Sequence, residues 1–149
     1  GWRIGYAGGP ADVIKAMKKI QSQSTSNPTS ISQYAAEAAL NGPQDCIADM
    51  LKAFKERHDY VVDRLNTMPG IECPQSDGTF YTFPRIQGLM DAVDGVTSDV
   101  ELAEHLIEHA GVALVPGSAF GTPGHARISI ATSMDNLTKA LDRLEQVLG

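Results

Sequence analysis

The sequence is short of cysteine, of positive charge and of long apolar runs, and each shortage closes off a class of explanation. Cys46 and Cys73 are the only cysteines in 149 residues and have no CxxC spacing. That suits a reducing cytosol better than a disulfide framework, with two buried thiols as the expectation. Lys and Arg together number 12 against 18 Asp and Glu, a net charge of −6, so a nucleic-acid backbone is repelled over most of the surface and is not an expected partner. No apolar run reaches the roughly 20 residues of a membrane span, and no membrane partner is expected. GWRIGY at the start has no basic segment and no initiator Met. It is not read as a secretory leader; the chain reads instead as a piece of something longer, with a cytoplasmic location expected.

What is present is a globular composition, 42% hydrophobic and 20% charged. A compact chain of this size buries roughly 70% of its unfolded surface, enough for one core. Residues 3–7 read as a short strand. Gly8-Gly9-Pro10 then leads into a weakly amphipathic helix over about 10–22, which the polar run QSQSTSNPTS breaks. Ser30 is placed to cap a second helix that ends at Asn41-Gly42, a left-handed stop. From Pro43 the apolar residues Ile47, Met50, Leu51, Phe54, Val61, Val62 and Leu65 keep helical spacing to about residue 67, with Lys52, Lys55, Glu56, Arg57, Asp59 and Asp63 as a solvated face.

Beyond Pro69-Gly70 the pattern changes. Residues 71–73 and 79–83 are β-prone around a turn and predict a hairpin. Thr97 or Ser98 can cap a helix with Leu102, Ala103, Leu106, Ile107 and Ala110 on its apolar face, ended by Gly111. A strand over 112–115, the glycine-rich PGSAFGTPG, a strand over 126–131 and a helix over 134–148 complete the chain. Clustered strand pairs imply an α+β fold, an antiparallel or mixed sheet covered by helices. The composition shift at Asn41–Pro43 divides residues 1–42 from a compact domain over 43–149.

Two arginines stand out chemically. In ARISIA, Arg127 alternates away from Ile128 and Ile130, so if these face the core its planar guanidinium faces whatever the glycine loop encloses and could grip a carboxylate at two points. Arg3 lies among Gly5, Gly8 and Gly9, where backbone can approach a ligand closely and an arginine can hold a phosphate. On pattern alone the blander reading, a solvent-facing strand residue for Arg127 and a surface ion pair for Arg3, stands ahead of either functional role. PGSAFGTPG lacks the Lys-Ser/Thr ending of a P-loop and no helix follows it. His105 and His109 have metal-ligand spacing, but with no third ligand and no HExxH they read as polar exterior, and no metal site is expected. His58 and His125 receive no assignment.

GWRIGYAGGP, SQSTSNPTSISQ, GTFYTFP, VPGSAFG and ARISIA, in this order along nearly the whole chain, resemble the class I aminotransferases, in particular the bacterial aspartate-aminotransferase-like branch. The resemblance implies the small C-terminal domain over 43–149. Residues 1–42 would be a strand and helices trailing from the large cofactor-binding domain. It implies pyridoxal 5′-phosphate as cofactor, an amino acid and a 2-oxo acid as substrates, and a homodimer. By the same resemblance Arg3 binds the cofactor phosphate, Arg127 clamps the substrate α-carboxylate, and Ser26 and Asn27 reach the neighbouring subunit's active site. The lysine that joins the cofactor stands upstream of the G-x-R in this family and is absent here. No catalytic residue is therefore expected in this chain, which by itself should be inactive and should not retain the cofactor. A stand-alone carboxylate-binding or regulatory module, or a related pyridoxal-phosphate lyase, is the alternative.

Overall fold

A computed structural model describes residues 2–148. It divides into two compact units, residues 1–47 and residues 48–149.

The first unit holds α1 (Ala11–Ser24) and α2 (Ser30–Asn41). α1 stops where side-chain hydroxyls compete for its carbonyls: Ser22 Oγ donates to the Lys19 carbonyl at 2.8 Å and Ser24 Oγ to that of Ile20 at 3.0 Å. No residue of α1 is buried. Residues 3–7, expected as a strand, have no strand pairing. A strand exists only against a neighbour, and the described residues of this unit supply none. The caps of α2 also differ from expectation. Thr29 is its N-cap and Ser30 its first helical residue. Gly42 at its end has φ −84°, so it is not a left-handed stop. Its lack of a side chain matters for another reason: a Cβ there would stand 2.7 Å from the Ala38 carbonyl oxygen.

The second unit is built on α3 (Asp45–Thr67), a helix of 23 residues as its periodicity predicts. Val61, Val62 and Leu65 from α3, Leu102 and Leu106 from α5 (Asp99–Ala110), and Leu137, Leu141 and Leu144 from α6 (Met134–Leu148) form one apolar core. Each of these fully buried side chains contributes roughly 1.5–3 kcal/mol relative to exposure. On the outside Arg64 ties α3 to α6, donating to Asp142 Oδ1 at 2.8 Å and Glu145 Oε2 at 3.0 Å, while its other fork arm donates to Tyr60 Oη at 2.9 Å. The predicted solvated face of α3 is present, and Lys55 pairs there with Asp59 at 2.8 Å.

Three short strands, β1 (Tyr81–Thr82), β2 (Val115–Pro116) and β3 (Ala126–Ser129), form an antiparallel sheet in the order β1-β3-β2. The predicted hairpin of residues 71–73 with 79–83 reduces to a single bridge between Glu72 and Arg85. β1 pairs with β3 instead, Tyr81 opposite Ser129 and Thr82 opposite Ile128. A short helix α4 (Gln87–Ala92) follows β1. With helices covering this sheet the unit is α+β.

α5 begins and ends as its sequence signals. Ser98 Oγ accepts from the Glu101 N–H, Glu101 Oε2 accepts from the Ser98 N–H, and Gly111 closes the helix in the left-handed region at φ 63°. Ile107, expected on its apolar face, is exposed. Of the two cysteines only Cys73 is buried; Cys46, in the first turn of α3, is exposed. That turn carries none of the core contacts of the later ones.

Candidate active site

Arg127 sits at the centre of the sheet, because β3 is the middle strand and Val115 of β2 lies directly opposite it. Alternation holds: Ile130 is fully buried, Ile128 packs against the core, and Arg127 is half-buried on the other face. Its Cζ lies 4.4 Å from the centroid of the Tyr81 ring and 4.5 Å from that of Phe120. Tyr81 comes from β1 on one side of β3, and Phe120 from the turn that follows β2 on the other. Among the described residues no carboxylate pairs with Arg127. The guanidinium is therefore held by neutral rings and keeps its hydrogen-bonding edge for an anion.

The segment that supplies Phe120 is a tight 3₁₀ turn, Gly117–Phe120, in place of an open loop. Gly117 makes it possible, since a Cβ there would fall 2.3 Å from the Thr122 carbonyl oxygen and 2.8 Å from His125. The Gly117 N–H donates to the His125 carbonyl at 2.7 Å, and the Ser118 N–H donates to Asp99 Oδ2 at 2.7 Å. Asp99 is only 2% exposed. Phe120 also meets Phe83 edge-on at 6.3 Å, and Phe83 stacks on His125 at 5.3 Å. On the β1 side, Thr79 adopts φ 70°, a conformation costly for a β-branched residue, two positions before Tyr81.

Tyr81, Phe120 and Asp99 are the site residues that the sequence did not single out. The two aromatics lie inside GTFYTFP and VPGSAFG, so they were visible as motif members. Their meeting on Arg127 depends on strand order, which no local pattern states. Asp99 carries no sequence signal beyond its place after the capping Ser98. His58, left unassigned, is buried, with Nε2 accepting from the Ser76 N–H at 3.2 Å and lying 3.0 Å from Ser76 Oγ. It fastens the turn after Cys73 to α3. His105 and His109 stack at 4.1 Å on the outside of α5, and no group of three or more potential metal-ligating residues occurs among the described residues.

In the first unit Arg3 is exposed and its guanidinium has no ion pair with a described residue. Ser26 and Asn27, in the link between α1 and α2, line an open cavity of about 500 Å³ together with Gly5, Tyr6 and Met17. Arg3 does not line that cavity. The chemistry of these groups suits anions: an unpaired arginine can hold a phosphate, and hydroxyl and amide side chains can complete its hydrogen bonds.

The class I and II aminotransferase family model matches residues 1–144. The chain belongs to this family. An aspartate/prephenate aminotransferase of Nitrosomonas europaea is 50% identical over 99% of this chain and 38% of its own length. The crystal structure of the aspartate aminotransferase from Rhizobium meliloti superposes with a TM-score of 0.83 at 47% identity, covering 97% of this chain and 37% of that one. The aromatic aminotransferase from Pyrococcus horikoshii superposes with a TM-score of 0.81 at 36% identity, over 99% of this chain and 38% of that one. The chain thus spans less than two fifths of the length of these aminotransferases. No helix among the described residues is long and apolar enough to cross a membrane.

Proposed function

We propose that this chain is part of a pyridoxal-phosphate-dependent aminotransferase that moves an amino group between an amino acid and a 2-oxo acid in the cytoplasm. Residues 1–42 trail from the large cofactor-binding domain, and residues 43–149 form the small domain. Membership of the family supports the reaction class. The names of the aspartate aminotransferases among the relatives favour aspartate as amino donor. The observation that carries the reading is Arg127, held between Tyr81 and Phe120 with its fork unpaired: it is the clamp for the substrate α-carboxylate. Arg3 holds the phosphate of the cofactor, and Ser26 and Asn27 line the active site of the partner subunit in a homodimer. When bound, the cofactor supplies the electron sink for breaking the bond at the substrate Cα. Lys15, Lys18 and Lys19 all lie on α1, outside the motif that carries the cofactor lysine in this family. The 149 residues alone therefore neither transaminate nor retain the cofactor.

In the full-length enzyme, Arg127→Lys keeps the charge but replaces a two-point grip with one. Steady-state kinetics should show kcat/KM for amino acids lower by about tenfold to a thousandfold, equivalent to about 1.4–4 kcal/mol, with cofactor affinity unchanged. Arg3→Ala should show the opposite pattern, losing pyridoxal phosphate on dialysis. An Arg127→Lys enzyme within twofold of the parent would reject the carboxylate clamp.

A further inference from the structure

We infer that Tyr81 and Phe120 are positioning residues for the Arg127 fork, and that buried Asp99 sets the place of Phe120 through the Ser118 N–H. The inference rests on the carboxylate-clamp reading of Arg127 and deepens it.

A guanidinium is a flat cation with all its N–H bonds in one plane, so it can be held by its faces or by its edge. An acidic neighbour would hold it by the edge and compete with a substrate carboxylate for the same N–H bonds. Aromatic rings engage the cation through their negative faces and leave those N–H bonds unspent. Arg127 has the second arrangement: Cζ at 4.4 Å and 4.5 Å from two ring centroids, and no ion pair with a described residue. A long, otherwise flexible side chain is restrained before any ligand arrives, which lowers the entropic cost of a two-point grip.

The two rings are not equally secured. Tyr81 belongs to β1, whose pairing with β3 fixes it relative to Arg127. Phe120 ends a four-residue turn and is 47% exposed, so little packing holds it. What fixes the turn is its backbone: the Gly117 N–H on the His125 carbonyl and, at 2.7 Å, the Ser118 N–H on Asp99 Oδ2. Asp99 is 2% exposed on the well-capped first turn of α5, so this acceptor is itself rigid. A carboxylate buried this far is costly to keep without a structural task. Seating the Phe120 turn is the task its contacts show.

The test uses the full-length holoenzyme with L-aspartate and, separately, L-alanine as amino donors, which share the α-carboxylate but not the side chain. Phe120→Leu and Tyr81→Leu should each raise KM about tenfold for both donors. They should leave kcat within threefold and the retention of pyridoxal phosphate unchanged. Phe120→Tyr, which restores a ring, should return KM to within twofold of the parent. Asp99→Ala should reproduce the Phe120→Leu phenotype, and Asp99→Asn should be mild because the amide oxygen can accept the same Ser118 N–H. Because Asp99 acts through Phe120, the Asp99→Ala/Phe120→Leu double variant should be no worse than Phe120→Leu alone. Multiplying effects in that double variant would overturn the role of Asp99. Unchanged KM in both leucine variants, with Arg127→Lys impaired, would overturn the positioning role while leaving the clamp intact. If Arg127→Lys is itself unimpaired, the clamp reading fails. If Phe120→Leu does not fold, the Phe120→Tyr and Tyr81→Leu pair still decides between a ring requirement and none.

Discussion

At the scale of single residues, the environment rather than the residue type decides what a group can do. The two cysteines show it plainly. Cys73 is 4% exposed, and burial pushes its thiol up to about 11, with the Thr82 hydroxyl pulling weakly the other way. Cys46 is exposed in the first turn of α3. Since the thiolate is the reactive form, alkylation at pH 7–8 should label Cys46 within minutes and leave Cys73 unmodified until the fold is opened with denaturant. Peptide mapping after a timed iodoacetamide pulse measures this, and equal labelling of both under native conditions would contradict the placement of Cys73. The arginines make the same point. Spacing alone left Arg127 and Arg3 open to a solvent-facing role. The structure gives Arg127 two aromatic partners and, among the described residues, no acidic one, a combination that only the assembled sheet produces.

Among the elements, legibility followed how local the determinants are. α5 was readable to its ends because a capping box and a left-handed glycine lie within a few residues of the positions they control. α4 was missed, since six residues are too few to show a period. The strands were located but their pairing was not. β1 pairs with β3 rather than with its sequence neighbour, setting Tyr81 opposite Ser129, 48 positions away, and no local pattern states that partner. The start of α5 also carries a pH dependence. Glu101 accepts from the Thr97 N–H and hydroxyl at 2.7 Å and 2.8 Å and from the Ser98 N–H at 3.1 Å, and these bonds hold its carboxyl below its usual value. A lowered folded value means that the contribution is complete above the unfolded value, near 4.5, and is lost as pH falls through the folded one. Glu101→Gln keeps a capping acceptor but cannot titrate. Between pH 5 and pH 3 its thermal midpoint should therefore fall less than the parent's, as followed by circular dichroism. Parallel acid limbs would show that Glu101 is not a source of the acid dependence.

On the scale of the whole molecule, the apolar core and the candidate carboxylate clamp lie in the same unit. Every residue of the buried apolar cluster falls between Val61 and Leu144. By contrast α1 buries no residue, and α2 buries only Ser32. Val13, Ile20, Ile31, Tyr34 and Leu40 remain more than half exposed. Apolar surface of this extent on two helices contributes nothing to stability while it faces water, and helices of 14 and 12 residues are marginal on propensity alone. The two units should therefore open independently. In native-state hydrogen exchange on the 149-residue chain, amides of α5, α6 and the second half of α3 should exchange only through the global opening of the core. Those of α1 and α2 should exchange many times faster and with little dependence on added denaturant. Leu65→Ala, which empties a fully inaccessible core position, should cost about 2–5 kcal/mol and accelerate exchange in α3, α5 and α6 together. It should leave the rates in α1 and α2 where they were. Equal protection of α1 and α5, or a Leu65→Ala effect reaching α1, would mean that the first unit draws its stability from the same core.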